Sequence, residues 1–287
     1  MIKKGIILAG GKGTRMSPLT KAVNKQLLPI HDKPLIFYPL SILMLAGIKE
    51  VLIIVNQGQL EQYKKIIPDG KNFGMKIDYI EQKKPNGLPE AFLLGEKFIK
   101  NQNVCLILGD NFFYGQNLTK ILRSCTKLKN GAKVLLHKVN KPENFGVAKV
   151  IGKKIKNIKE KPKKFISDLA ITGLYFFDKK VCKFAKQLKP SKRGEIEIVD
   201  LLNKYLKNKK LSAELIGRGG AWLDTGSIED FYKTSAFVSA IENRQGFKIA
   251  CLEEIAFNNK WINKKQLLRA VKFYGNCSYS HYIKKLI

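Results

Sequence analysis

Strands and helices alternate through the first two-thirds of the chain, which predicts an α/β fold with a Rossmann-like, mostly parallel sheet flanked by helices. After Gly146 the pattern changes to short strands at 147–151, 155–159 and 170–177, predicting a small antiparallel addition that caps one side of the ligand. Segments near 252–257, 264–270 and 279–286 predict a C-terminal helical appendage. The chain then divides into 1–241, with an internal junction near 140, and 242–287. A length of 287 residues suits one large domain with an appendage, and 45% apolar residues suffice for its core.

The first strand, 5–9, is a short apolar run that glycines terminate, as a buried strand feeding a tight loop should be. The stretch from Leu35 to Val55 is largely apolar over a membrane-spanning length. Pro39, Gly47, Lys49 and Glu50 divide it into a helix at 35–46 and a strand at 51–55, so no membrane span is expected. Helical patterns at 60–67, 90–99 and 118–128 alternate with strands at 76–81, 104–108 and 133–137. Ligands of such sheets sit outside the carboxyl ends of the strands. The 10–15 loop and Gly109-Asp110-Asn111 therefore share one rim.

Composition narrows the function classes. Lysine and arginine total 53 against 23 acidic residues, a formal charge of +30, yet only six of the 53 are arginine and the lysines are spread over the chain. Specific nucleic-acid readers cluster arginine on one face, so no specific nucleic-acid partner is expected. The five cysteines are scattered and odd in number, which points to reduced thiols in a cytoplasm. His31, His137 and His281 lack zinc-ligand spacing. Lys3 and Lys4 precede only five apolar residues, too few for a signal peptide.

Glycines at 10, 11 and 13 allow backbone N–H groups to approach an anion, and Arg15 and Lys25 add full charges to that cradle. The P-loop pattern fails because Gly13 follows Gly11-Lys12, and the dinucleotide fingerprint fails because Met16 occupies its third glycine. A polyphosphate is still the expected ligand. Asp110, at the tip of strand 104–108, suits Mg²⁺, which prefers hard oxygen donors; Asp224 is the other candidate carboxylate.

The segment Gly10-Gly11-Lys12-Gly13-Thr14-Arg15-Met16, with Lys25-Gln26-Leu27-Leu28-Pro29-Ile30, resembles the sugar nucleotidyltransferases. Leu108-Gly109-Asp110-Asn111-Phe112-Phe113-Tyr114-Gly115, Arg193-Gly194-Glu195-Ile196-Glu197 and Arg218-Gly219-Gly220-Ala221-Trp222-Leu223-Asp224-Thr225-Gly226 are similar to its short thymidylyltransferase branch. The resemblance runs in one order from Lys4 to near the C-terminus. It implies deoxythymidylyl transfer from dTTP to glucose 1-phosphate, giving dTDP-glucose and pyrophosphate for dTDP-rhamnose and related deoxysugars. The rivals are a UTP-dependent or other hexose-1-phosphate pyrophosphorylase and a noncatalytic sugar-nucleotide-binding subunit.

The same resemblance implies residue roles. Leu8, Gly10, Gly11, Gly13, Thr14, Arg15, Lys25, Gln26, Gln82, Pro85, Gly87, Leu88 and Asp110 would bind the nucleotide. Asn111, Gly146, Glu160, Lys161, Ile171, Thr172, Tyr175, Arg193 and Trp222 would bind sugar or its phosphate. Arg15, Lys25 and Lys161 would be catalytic, and Asp110 and Asp224 would hold Mg²⁺. A homotetramer is implied, with a second nucleotide site near Tyr114, Gly115, Arg218, Gly219 and Glu254. The chain departs from the pattern at Met16, at Phe145 where Tyr is common, and at Pro89-Glu90 where Ala-Gln is usual.

Overall fold

The computed structural model describes residues 1–11, 13–152 and 154–287; Lys12 of the glycine loop lies outside them. In chain order the elements are β1 Lys4–Ala9, β2 Pro29–Ile30, β3 Lys33–Pro34, α1 Phe37–Leu45, β4 Glu50–Asn56, α2 Leu60–Ile66 and β5 Lys76–Gln82. Then follow α3 Glu90–Leu94, α4 Glu96–Ile99, β6 Val104–Leu108, β7 Asn111–Gly115, α5 Leu118–Cys125, β8 Ala132–Lys138, β9 Gly146–Ile151, β10 Lys154–Glu160 and β11 Leu169–Phe177. The remainder is α6 Val181–Ala185, α7 Ile198–Lys207, β12 Leu211–Leu215, β13 Gly220–Asp224, α8 Ile228–Gln245, α9 Leu252–Asn258, α10 Lys264–Tyr274 and α11 Ser278–Lys284.

The main sheet runs β10-β9-β11-β6-β1-β4-β5, with β8 added on β11 and β12 on β8. β6, β1, β4 and β5 are parallel neighbours, whereas β11 is antiparallel to β6, β8 and β9. Alternate side chains along these strands divide between two cores. Ile7, Ile53 and Ile107 pack with α1, α5 and α9 on one face, and Ile6, Leu52, Leu106 with α3, α6 and α7 on the other. That division is the period of two expected of a sheet covered on both sides. Among the described residues no helix is long and apolar enough to cross a membrane.

Several details differ from expectation. The antiparallel strands are not a separate layer, because β11 joins the β9–β10 hairpin to the main sheet. The expected helix at 90–99 is two pieces that meet at Gly95, where a Cβ would lie 2.8 Å from the Ala91 carbonyl and 3.0 Å from Ile6. α8 is one continuous helix through position 242, where the sequence suggested a junction. β7 and β13 form an antiparallel ribbon that the sequence pattern did not suggest.

Candidate active site

The carboxyl ends of β1, β4, β5 and β6 assemble the site. β1 ends at Ala9, and the chain turns through Gly10 and Gly11 into Gly13, whose φ of 59° is the left-handed conformation that favours glycine. Asn56, the last residue of β4, clamps this turn: its Nδ2 donates to the Gly11 carbonyl at 2.8 Å and its Oδ1 accepts from the Gly11 N–H at 2.9 Å. The Gly11 amide is therefore spent within the protein. Sequence reasoning missed Asn56, though a polar residue closing an apolar strand on the ligand rim was a usable signal.

Lys25 lies in a short 3₁₀ turn that Asn24 caps, its Oδ1 accepting from the Gln26 N–H at 3.0 Å. The Lys25 ammonium, only 7% exposed, donates to Asp110 Oδ2 at 2.8 Å. The close pairing of β6 with β1 requires Gly109, since a Cβ there would fall 2.9 Å from the Leu8 carbonyl. Asp110 projects from that tip. The β7–β13 ribbon then pairs Asp224 with Asn111, and the Thr225 hydroxyl donates to the Asp110 carbonyl at 2.8 Å. Two carboxylates distant in sequence are thereby brought to one place.

Their titration reflects this proximity. Burial and the charge of Asp110 push the Asp224 carboxyl up to about 6, against weaker opposition from Lys25 and Arg15. Burial also opposes ionisation of Asp110, but the Lys25 ammonium overcomes it and holds that carboxyl below its ordinary value. One of the pair is a firm anion and the other a reluctant one. A cavity of about 260 Å³ at this point is lined by Gly10, Gly11, Gly13, Thr14, Arg15, Lys25, Gln26 and Asp110. The side-chain amide oxygen of Gln26, Oε1, is buried there without a hydrogen-bond partner among the described residues, as suits an acceptor for a donor on a ligand.

A second cavity, of about 170 Å³, brings Leu8, Gln82, Pro85, Gly87 and Leu88 together, facing the 195–197 segment. Gly87 has a φ of +111°, and a Cβ on it would lie 2.1 Å from the Ile196 carbonyl. A larger cavity, about 490 Å³, lies at α9, α10 and residues 71–73, away from these strand ends. Its buried carboxylate, Glu253, already accepts from the hydroxyls of Tyr274 and Tyr279.

On the sugar side, β9 and β10 pair Gly146 with Glu160, and Lys161 follows exposed at a left-handed φ of 39°. Tyr175 is buried where the charges of Glu160, Asp110 and Asp224 add to burial in raising its phenol. Ile171 and Thr172 are buried in β11, and the Thr172 hydroxyl donates to the Leu135 carbonyl at 3.0 Å. Asn111 is a structural hub: its Oδ1 accepts from the Gly173 N–H at 3.0 Å and from Trp222 Nε1 at 2.6 Å. Arg193 does not offer a free guanidinium. It donates to Glu197 at 2.7 Å and reaches Glu160 at 3.4 Å, so the expected phosphate contact is already matched by carboxylates. Sequence reasoning did not anticipate Glu197.

Tyr114, Gly115 and Gly219 line a cavity of about 300 Å³, while Glu254 accepts from the Tyr282 hydroxyl on another part of the chain. Arg218 is exposed beside that cavity's Gly217 and Gly219. His31, Asp32 and Glu242 also approach one another, with Lys33 and Lys248 donating to both carboxylates.

The family described as Nucleotidyl transferase matches residues 4–241. The glucose-1-phosphate thymidylyltransferase of Neisseria meningitidis is 48% identical over 285 residues, 99% of each chain. That of Mycolicibacterium smegmatis is 43% identical over 286 residues, again 99% of each. A crystal structure of UDP-glucose pyrophosphorylase complexed with UDP-glucose superposes with a TM-score of 0.74 at 30% identity, covering 85% of this chain and 100% of the other.

Proposed function

Since the chain belongs to the nucleotidyl transferase family, among its glucose-1-phosphate thymidylyltransferases, we propose that the rim at β1 and β6 carries the reaction by positioning and charge alone. The enzyme transfers a deoxythymidylyl group from dTTP to glucose 1-phosphate and releases pyrophosphate. A phosphate monoester is already nucleophilic, so its oxygen attacks the α-phosphorus directly and the bond to pyrophosphate breaks in line. Accordingly, the described residues lining the phosphate cavity include no serine, cysteine or histidine. Arg15 holds the leaving pyrophosphate, and Lys25 neutralises charge on the triphosphate as the bond breaks. Lys161 holds the sugar phosphate, while Arg193 orients Glu160 towards the sugar hydroxyls. Gln82 and Gly87 read the base.

Asp110 and Asp224 fit a divalent cation. Both offer hard oxygens, and a cation would relieve the burial and the Asp110 charge that together raise the Asp224 carboxyl. Mg²⁺ held there supplies neutralisation of the triphosphate oxygens. The observation that carries this reading is the convergence of Arg15, Lys25, Asp110 and the unpartnered Gln26 side-chain oxygen on one cavity. Pyrophosphate release should be measured with dTTP or UTP against glucose 1-phosphate or galactose 1-phosphate. The highest kcat/KM is expected for dTTP with glucose 1-phosphate; faster turnover of UTP would move the chain to the UDP-glucose pyrophosphorylase type.

Assembly follows from the same reading. The chain forms a homotetramer in which Tyr114, Gly115, Arg218, Gly219 and Glu254 meet across subunits as a second nucleotide site. Exposed Leu268 and Phe273 on α10, 45% and 63% accessible, supply apolar surface for such contacts. Light scattering at micromolar concentration should report four chains, and a monomer throughout would remove the proposal.

A further inference from the structure

Tyr63, on α2, has no task in the reaction so far, yet its hydroxyl meets the root of both loops that build the phosphate cavity. We propose that Tyr63 is a positioning residue which holds the Lys25 ammonium where charge develops in the transition state. The inference rests on the reading of Lys25 as the group that neutralises the triphosphate. Tyr63 is fully buried. Its hydroxyl donates to Asn24 Oδ1 at 2.7 Å and lies 3.3 Å from the Ala9 carbonyl, where β1 enters the glycine loop. Burial raises the phenol above its ordinary value, so the proton stays on the oxygen.

Asn24 joins this hydroxyl to Lys25. Its Oδ1 also accepts from the Gln26 N–H at 3.0 Å, closing the 3₁₀ turn that carries Lys25. Its Nδ2 donates to Gln59 Oε1 at 2.5 Å. Gln59, the residue before α2, and Tyr63 within it are four positions apart, so one helix face presents both. A donor thus meets the oxygen of the Asn24 amide, and an acceptor meets its nitrogen. Reversal of that amide would set Nδ2 against the Gln26 N–H, donor against donor, and leave the turn uncapped. The turn places the Lys25 ammonium in the cavity, where it donates to Asp110 at 2.8 Å. Loss of the Tyr63 hydroxyl frees the Asn24 amide and lets the ammonium drift. A misplacement of about 1 Å can cost up to about 10² in rate.

The test measures kcat and KM for both substrates in wild type, Tyr63→Phe, Lys25→Ala and the double variant, with thermal melting to confirm folding. Tyr63→Phe keeps the buried ring and should lower kcat about tenfold. Both KM values should stay within about twofold, because Lys25 acts as the bond breaks. In the Lys25→Ala background the same change should shift kcat by less than about twofold, since the group it positions is gone. A merely structural tyrosine would give the same loss in both backgrounds, and that result would overturn the proposal. So would a Tyr63→Phe variant with wild-type kcat, or with a defect in KM alone, while Lys25→Ala is impaired. Wild-type kcat in Lys25→Ala would instead overturn the catalytic reading of Lys25, and this proposal with it.

Discussion

Lys25→Ala should lower kcat by roughly 10²–10³, the usual loss when one charge-stabilising group is removed from a transition state. The ammonium lines the cavity at the glycine loop rather than a core face, and among the described residues its one hydrogen-bond partner is Asp110. Removing it leaves that carboxylate without its cation, so a modest fall in melting temperature should accompany the kinetic loss. The fall is limited because Asp110 keeps 26% of its side chain exposed. Circular dichroism should show unchanged secondary structure. A variant that keeps more than about a tenth of wild-type kcat would remove Lys25 from the catalytic group.

Asp110→Asn and Asp224→Asn should each weaken activation by Mg²⁺, and the double variant should lose less than the sum of the two in free energy if both hold one ion. Simple additivity would make one of them structural. The raised Asp224 carboxyl adds a pH dependence. Its folded pKa of about 6 lies above the ordinary 3.8, so the metal-free fold loses stability as pH rises from about 4 through about 6. Cation binding uses the ionised form and relieves that cost. The increase in melting temperature on adding Mg²⁺ should therefore be larger at pH 7.5 than at pH 5, and Asp224→Asn should shrink it and remove that difference between the two pH values.

The parallel strands were legible because each is a short apolar run closed by glycine or a polar rim residue, and the glycine loop with Arg15 and Lys25 was legible from type and spacing. The β7–β13 ribbon was not. Its partners lie some hundred residues apart, and Asn111-Phe112-Phe113-Tyr114-Gly115 has no alternation to mark one solvated face. α8 escaped for a related reason. Its buried positions are Thr234, Val238 and Glu242, a helical stripe with one apolar member, so hydrophobic periodicity could not reveal it. Charge pairing was equally hidden. Arg193 looked like a free phosphate ligand until the fold set Glu160 beside it, thirty-three positions away. Asn56 clamps the glycine turn through geometry that only adjacent strand ends create.

The central claim is a single in-line displacement with no group of the protein bonded to phosphorus. Its most direct test is the reaction of glucose 1-phosphate with dTTP carrying one sulfur on a chiral α-phosphorus, with the product configuration read by phosphorus NMR. One displacement inverts that centre, and inversion is the expected result. Retention would contradict the account, because it demands two displacements through a covalent thymidylyl-enzyme and hence a nucleophile on the chain.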